Sequence, residues 1–413
     1  MKTYLVGGAV RDKLLNYPVI EHDWLVVGST VEEMLEQGFR TVGKDFPVFL
    51  HPKTQDEYAL ARTERKTAKG YHGFTFYTSP EVTIEEDLIR RDLTINAIAE
   101  AQNGNLIDPY GGQKDLEKKL LRHVSKAFCE DPVRILRVAR FYARYAHLGF
   151  TVADETLTLM QSMVKAGEIN TLVSERVWAE FDKALGERSP EKFIELLRDV
   201  GALNILMPEI DRLFGVPQSI EWHPEIDAGI HTLLVLRQAV LLSDNKAVRF
   251  AALVHDLGKG ITPKSKWPHH YGHETSGLPV LNAFCDRLRV PNNYRSLAEP
   301  VMRYHLNCHR AYELKASTIV DMLQALKILK PNQEQRLDQF LTACLADVRG
   351  RKGMGEAEYP QMDYLKSVYI ELLKVDAKGL VEKGLEGAAI GQELRRMRIV
   401  AANKVKDAFP SPS

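Results

Sequence analysis

Apolar and polar positions divide the chain into a first third that mixes strands with helices and a remainder that reads as helix. A short apolar strand ending Leu5-Val6 runs into Gly7-Gly8, and a helix follows over Arg11 to Leu15. Trp24-Leu25-Val26-Val27 reads as a second strand. Phe46 to His51 and Glu57 to Arg62 read as two more, set around a polar Pro-Lys-Thr-Gln-Asp turn. Thr83 with Glu86 three residues on is a capping-box start, which predicts a helix running on toward Ala97. Asp131 and Pro132 start another, with Arg134, Arg137, Arg140 and Arg144 in a slowly drifting stripe while Ile135, Val138 and Phe141 face elsewhere. Residues from about 142 to 222 stay helical, and Gly201 to Ile210 reads as a helix end and a turn. Beyond about 350 the chain is helical and charged, ending in a loose tail, Pro410-Ser411-Pro412-Ser413.

Chemistry enters at the first turn. Glycines there let backbone N–H groups approach a phosphate, and a helix N-terminus adds favourable partial charge. Arg11 brings a planar fork of donors suited to phosphate oxygens. The dinucleotide fingerprint G-x-G-x-x-G is absent. Glu21 and Asp23 sit two apart on the second strand, so both carboxylates can meet the same metal ions. Each feature alone has a plain reading, a turn and a solvated strand face. Together they outline metal-assisted nucleotidyl transfer. Glu57 is either a third acid or an edge-strand surface glutamate. Arg62, Arg65, Lys66 and Lys69, with Gly70 and Gly73, read as a mobile loop, either solvated or touching phosphate. Arg90-Arg91-Asp92 would ordinarily be surface salt bridging.

The second half carries its own constellation. His231 opens an apolar helix, and His255-Asp256 follows the run Phe250-Ala251-Ala252-Leu253-Val254. His269, His270, His273-Glu274, His305 and Asp347 come after. Imidazoles and carboxylates distributed this way suit a divalent transition metal.

Composition narrows the class. The 413 residues carry 55 basic and 55 acidic side chains, which excludes a generally basic nucleic-acid coat but leaves room for a local basic groove. Cys129, Cys285, Cys308 and Cys344 form no C-x-x-C pair, so neither a zinc knuckle nor a disulfide frame is expected. Arg11 and Asp12 interrupt any signal-peptide core, and no apolar run reaches membrane length. A cytoplasmic enzyme without membrane partners is the expectation.

The order G-G-x-V-R-D, then acid-x-D-W, resembles the nucleotidyltransferase superfamily of DNA polymerase beta, and within it the class II CCA-adding tRNA nucleotidyltransferases. That family usually has Asp-x-Asp; here Glu21, one methylene longer but still a hard oxygen ligand, takes the first place. Arg90 to Ala97 matches the family's R-R-D-[FL]-T-I-N-A motif, and Asp108 to Leu116 its D-P-x-x-G-x-x-D-L segment. Glu130 to Arg137 matches E-D-x-x-R-x-x-R. The resemblance implies that Gly8, Arg11 and Arg91 bind the nucleotide and that Asp92 lies near its ribose. It implies too that Arg137 and Arg140 hold the triphosphate, while Asp131 and Arg134 read the base. Cytosine and adenine both offer an amino donor beside a ring-nitrogen acceptor, whereas uracil and guanine present the opposite polarity. One carboxylate and one guanidinium therefore suffice to accept C and A and reject U and G.

The histidine series resembles the HD phosphohydrolases, in which His231, His255, Asp256 and Asp347 match the metal-ligand pattern; which of His270, His273 and His305 joins them stays open. The implied fold is α+β: a polymerase-beta-like head of mixed sheet and helices (1–140), an all-α neck and body (141–222), an all-α HD domain (223–350) and a helical C-terminal region (351–413). The implied reaction is template-independent addition of CCA to tRNA from CTP and ATP with Mg²⁺ on Glu21 and Asp23. The HD domain would add phosphatase, 2′-nucleotidase and 2′,3′-cyclic phosphodiesterase activity with Ni²⁺ or another transition metal. A monomer or homodimer is expected. The alternatives are an ATP-only poly(A) polymerase, a nucleotidyltransferase–HD signalling enzyme acting on a protein, and a decayed head that merely binds tRNA.

Overall fold

The computed structural model describes residues 1–19, 21–42, 48–66, 74–330, 332–377, 380 and 385–409. The chain forms two compact units, Met1–Leu206 and Met207–Ser413.

In the first unit the described strands are β1 (Lys2–Val6), β2 (Asp23–Val27), β3 (Arg40–Val42), β4 (Val48–Leu50), β5 (Glu57–Leu60), β6 (Arg62–Lys66), β7 (Phe74–Thr78), β8 (Ala99–Ala101), β9 (Leu106–Ile107), β10 (Leu120–Leu121) and β11 (Thr151–Val152). Seven of the described strands form one sheet in the order β3-β4-β5-β2-β1-β8-β9. The sheet is mixed, because β2 pairs parallel with β5 and antiparallel with β1. Alternation along the strands buries both faces. Val6, Leu25 and Ala99 pack with Val82 and Leu88 on one side, while Val26 and Leu60 pack with Met34 and Phe49 on the other.

Helices α1 (Gly8–Leu14), α2 (Val31–Glu36), α3 (Ile84–Leu88) and α4 (Gly112–Glu117) decorate this sheet. Thr83 caps α3 in the expected box with Glu86. The helix expected to run on toward Ala97 stops at Leu88, however, followed by a 3₁₀ turn at Thr94–Asn96. The chain leaves the helix to pair with a distant segment: Leu93 bridges His123 and the Thr94 N–H donates to the Arg122 carbonyl at 2.8 Å. The buried Asp87 carboxylate accepts from Arg90 (2.7 Å) and Arg91 (3.2 Å), its i+3 and i+4 neighbours. Glu57 is not on an edge strand, since β5 lies between β4 and β2. The basic segment beginning at Arg62 is a strand paired with β7, not a loop. Lys69, Gly70 and Gly73 lie outside the described residues, as do Phe46, Pro47 and the Pro410–Ser413 tail.

Asp108 accepts from the backbone N–H of Gly112 (2.7 Å) and Gln113 (2.9 Å), which starts α4 and presses it against the 3₁₀ turn. Asp115 on α4 then accepts from Thr94 Oγ1 at 2.7 Å. Helices α5 (Val133–Tyr145), α6 (Asp154–Lys165), α7 (Ser174–Leu185), α8 (Glu191–Asp199) and α9 (Leu203–Leu206) complete the unit, with α5 packed on α7 and α8.

The second unit is helical: α10 (Pro208–Asp211), α11 (Ala228–Leu242), α12 (Lys246–Val254), α13 (His273–Leu288), α14 (Asn292–His309), α15 (Ala316–Ala325), α16 (Glu334–Arg349), α17 (Gln361–Leu373) and a last helix, Ala388–Ala408. Ala247 to Val254 of α12 are all buried, so this helix is the axis that α11, α14 and α16 surround. No described helix is long and apolar enough to cross a membrane.

Gly112 has no room for a side chain. A Cβ there would lie 2.3 Å from Thr94 O and 2.6 Å from Ile98 Cγ1. Gly112→Ala should therefore lower stability by about 1–3 kcal/mol in chemical denaturation, and an unchanged midpoint would contradict this packing.

Candidate active sites

A cavity of about 910 Å³ opens in the first unit, and Gly8, Arg11, Glu21, Asp23, Arg91, Asp92, Asp131, Arg134, Arg137 and Arg140 all line it. Ten basic side chains face six carboxylates around this wall, a local cation excess in a chain of zero net charge.

Gly7 makes the first turn possible. Its φ is +68°, and a Cβ would meet Arg91 Nη1 at 2.9 Å, so the bare backbone lets Arg91 close over the turn. Arg11 is buried and held by three hydrogen bonds. Its Nε and Nη2 donate to Asp12 (2.9 and 3.0 Å), its Nη1 donates to Asn96 Oδ1 (2.6 Å), and Phe141 and Tyr145 face its guanidinium. Asp12 also accepts from the Tyr145 hydroxyl (2.7 Å) and from Arg144 (3.1 Å), joining α1 to α5. Burial pushes the Tyr145 hydroxyl well above its ordinary pKa, so it serves as a donor.

Asp23 is the first residue of β2 and Glu21 lies just before it. Partial desolvation raises the Asp23 carboxyl, Arg91 opposes that, and the neighbouring Glu21 carboxylate adds to it. Two carboxylates competing for one region fit a divalent cation. Glu57, the residue opposite Asp23 in the β2–β5 register, brings a third acid into the neighbourhood.

Arginine positions on α5 are set by carboxylates. Asp92 accepts from Arg137 Nε (2.7 Å) and Asn96 Nδ2 (2.9 Å). Burial pushes Asp92 up, but Arg137 and these hydrogen bonds outweigh it and hold the carboxyl far below the ordinary range. Arg140 Nε donates to Glu180 (2.7 Å), and Arg134 Nη1 donates to the Ala127 carbonyl (2.7 Å). Asp131 accepts from the Val133 N–H and from both terminal nitrogens of Arg176 (3.1 and 2.7 Å). Sequence reasoning missed Asp12, Asn96, Arg176 and Glu180. The i,i+4 spacing of Arg176 and Glu180 on α7, which gives them a common face, was the available signal.

The second unit gathers a buried cluster. His231 Nε2 lies 2.9 Å from Asp347 Oδ1, and His255 Nε2 lies 3.1 Å from Asp256 Oδ2 and 3.6 Å from Asp347 Oδ1. His273 and His305 join them; His270 does not, since its Nε2 bonds to the Pro217 carbonyl (2.9 Å). Each ring is aimed by its other nitrogen, His255 by Ala252 O (2.7 Å), His273 by His270 O (2.7 Å) and His305 by Met302 O (2.9 Å). For His231 the partner is a carboxylate, Glu225 at 2.8 Å, the arrangement that raises ligand basicity. His223 also meets Glu225, at 3.0 Å, and burial pulls its pKa down to about 4. His255 Nε2 and both Asp256 oxygens are buried without a hydrogen bond of sound geometry among the described residues. Buried electron-pair donors left this way, converging from imidazole and carboxylate, fit a divalent metal.

Gly258 explains the approach of His273. A Cβ on it would sit 2.0 Å from the His273 carbonyl oxygen, so only glycine lets the turn after Asp256 touch the start of α13. His309 and Glu225 were missed by sequence reasoning; His309 lies one helical turn beyond His305 and bonds Asp347 Oδ2 at 2.7 Å.

Comparison with known proteins places the chain. Residues 3–122 match the Poly A polymerase head domain, 149–214 the probable RNA and SrmB-binding site of polymerase A, and 229–347 the HD domain. The multifunctional CCA protein of Methylococcus capsulatus is 59% identical over 408 residues, which span 99% of this chain and 96% of that protein. The chain belongs to the multifunctional CCA protein family. Among solved structures, the Bacillus stearothermophilus CCA-adding enzyme in complex with CTP aligns with a TM-score of 0.64 at 23% identity, covering 97% of this chain and 89% of that one. The Thermotoga maritima CCA-adding enzyme complexed with tRNA aligns at 0.62 and 20% identity, covering 100% and 88%. Both share the fold of this family member: a polymerase head with a mixed sheet, followed by helices. Nucleotidyltransferase and HD domains both commonly use divalent metals, and the carboxylate and imidazole groups described above supply donors for them.

The depressed Asp92 carboxyl sets a pH dependence. Its stabilising contribution is complete above the unfolded value of about 4 and is lost as pH falls below it. Asp92→Asn should lower stability near neutrality and flatten its fall below about pH 4. Parallel wild-type and variant profiles in pH-dependent denaturation would contradict the Asp92–Arg137 pairing.

Proposed function

We propose that the chain adds C, C and A to the 3′ end of tRNA from CTP and ATP, releasing pyrophosphate, without a nucleic-acid template. The observation that carries this reading is the single cavity lined by the acid pair Glu21 and Asp23, the guanidinium row of α5, and Asp131 with Arg134. Similarity to the multifunctional CCA protein over almost the whole chain supports it.

In this reading residues 1–140 form the head, 141–222 the neck and body, 223–350 the HD domain and 351–413 a helical extension. Gly8 leaves backbone N–H groups open to the phosphates, and Arg11, Arg91, Arg137 and Arg140 bind the triphosphate as fixed cations. Because each of these guanidiniums already has a carboxylate or amide partner, little reorganisation is needed when nucleotide arrives. Asp92 orients Arg137 and lies toward the ribose. Asp131 accepts from the exocyclic amino group and Arg134 donates to the ring nitrogen, a pattern that C and A satisfy and U and G do not. Glu21 and Asp23 would hold Mg²⁺, which supplies activation of the tRNA 3′-hydroxyl and neutralises charge on the reacting phosphoryl group. The 3′ oxygen attacks the α-phosphorus as its hydroxyl proton is lost to solvent, the bond from that phosphorus to the oxygen bridging to the β-phosphate breaks, and pyrophosphate leaves.

The HD cluster is read as a phosphohydrolase centre with His231, His255, Asp256 and Asp347 as ligands of Ni²⁺ or a similar ion. It would act on phosphomonoesters and 2′,3′-cyclic ends of RNA and so prepare damaged tRNA for repair. A tRNA substrate places this work in the cytoplasm.

The test is incorporation of each of the four labelled nucleotides into tRNA lacking its last three residues, with Mg²⁺. Wild type should add C, C and A and neither U nor G. Asp131→Ala should lose that discrimination, and Asp23→Asn should lower incorporation about a thousandfold or more. Repeated addition of A alone would replace this reading with poly(A) synthesis. No incorporation at all would overturn the head assignment.

A further inference from the structure

Resting on the reading of the HD cluster as a phosphohydrolase centre for RNA ends, we propose that loop 217–227 and segment 269–271 form a shelf beside it for an unpaired RNA strand. Trp222 and Tyr271 stack on the bases of that strand, and Gln218 donates to one of its phosphates.

The loop touches the cluster directly. The His223 ring stands edge to face with His231, centroids 4.5 Å apart, and both imidazoles meet Glu225, at 3.0 and 2.8 Å. At the base of the loop Gln218 Oε1 accepts from Lys259 Nζ at 2.5 Å, and the same Nζ lies 2.6 Å from Asp256 Oδ2. His270 Nε2 donates to the Pro217 carbonyl at 2.9 Å, which fastens the second segment to the loop. Trp222 is therefore next to a residue packed on His231. Tyr271 is two residues from His273, which lies 3.0 Å from Asp256.

Both aromatic side chains face solvent. Trp222 is 60% exposed and Tyr271 90%, and Ile220 on the same loop is 69% exposed. Such a patch beside a reaction centre marks a binding surface. His269 lies nearly parallel to Tyr271, with centroids 5.6 Å apart and 13° between planes, so a stack has already begun there. Charge favours RNA over a protein as the occupant. Lys264, Lys266 and Lys352 are exposed on the flanking segments, and the Lys352 N–H donates to Glu225 at 3.1 Å. Of the loop's acids, Glu225 is held by this bond and the two histidines. Asp227 accepts from the N–H groups of Gly215 (2.6 Å) and Ile230 (2.9 Å), and Glu221 is the exposed one. Aromatic faces set among lysines are how unpaired strands are held without a sequence code.

A buried donor points to the same ligand. The Lys259 ammonium can only donate, so its contact fixes Oε1 of Gln218 as the acceptor and Nε2 as the donor. Gln218 is 3% exposed, and this Nε2 has no hydrogen-bond partner among the described residues. A buried amide N–H left so is costly, and a phosphate oxygen satisfies it with a charge-assisted bond. The loop is also held against local preference. Ile226, a β-branched residue, has a φ of +63°. Its carbonyl accepts from the Gln218 N–H at 2.6 Å and its N–H donates to the His223 carbonyl at 2.8 Å, so the strained residue closes the loop that carries Trp222.

The test compares hydrolysis of cytidine 2′,3′-cyclic phosphate with that of a trinucleotide ending in the same group, by the full chain with Ni²⁺. Wild type should show a KM about tenfold lower for the trinucleotide, the contribution of one further stacked base. Trp222→Ala with Tyr271→Ala should abolish that preference while kcat on the trinucleotide stays within about twofold, and Trp222→Phe with Tyr271→Phe should restore it. Gln218→Glu, which keeps the Lys259 contact and loses the donor, should raise KM for both substrates. No length preference in wild type, or one that survives the alanine variant, would overturn the shelf, and an unchanged KM in Gln218→Glu would overturn the phosphate contact. No hydrolysis of either substrate by wild type would overturn the phosphohydrolase reading itself and the shelf with it. Should the alanine variant fail to fold, photocrosslinking of wild type to a 4-thiouridine trinucleotide decides. Attachment to Trp222 or Tyr271 supports the shelf, and attachment only elsewhere in the second unit overturns it.

Discussion

Buried charge must be matched locally, and the first unit is arranged around that requirement. The Asp12 carboxylate accepts from Arg11, Arg144 and Tyr145, so one anion fastens the glycine turn of the sheet to the long helix α5. Removing one partner of a buried pair costs roughly 3–5 kcal/mol because the other charge stays behind. The same logic repeats along the cavity, where Asp87 holds Arg90 and Arg91, Asp92 holds Arg137, Asp131 meets Arg176 and Glu180 holds Arg140. Guanidiniums that would scatter in water are fixed before any ligand arrives. The cost of gathering ten cations around one cavity is met during folding, and an incoming triphosphate does not have to meet it again.

The second unit solves the matching problem with opposite chemistry. Its centre is crowded with lone pairs, and Lys259 together with backbone carbonyls orients them without satisfying them all. A helix buried on every side, α12, ends where His255 and Asp256 begin, so the donors sit at the most constrained point of the bundle. Such a site is costly when empty and is stabilised by whatever cation it takes.

Much of this was legible in the chain because it resides in short segments. The Gly-Gly turn, the Glu21 and Asp23 pair, the capping box at Thr83 and the arginine stripe of α5 each follow from spacing, and the turn, the acid pair and the stripe line one cavity. What was not legible depends on distant pairing. Glu57 looked like an edge residue, yet β5 lies inside the sheet because β2 pairs with it across residues 28–56, a segment containing β3 and β4. The early end of α3 follows from residues 92–94 pairing with residues 122–124, a tertiary preference that overrides helix propensity. His309 was overlooked although it repeats His305 at i+4, since nothing local indicates that Asp347 comes to meet it.

The central claim is that the protein itself, through Asp131 and Arg134, carries the base specificity. Equilibrium binding of CTP, ATP, UTP and GTP to the chain with no RNA present tests it most directly. The account expects CTP and ATP to bind measurably tighter than UTP and GTP, by about tenfold or more for two well-placed polar contacts. Four equal affinities would contradict it, because discrimination would then have to come from the RNA.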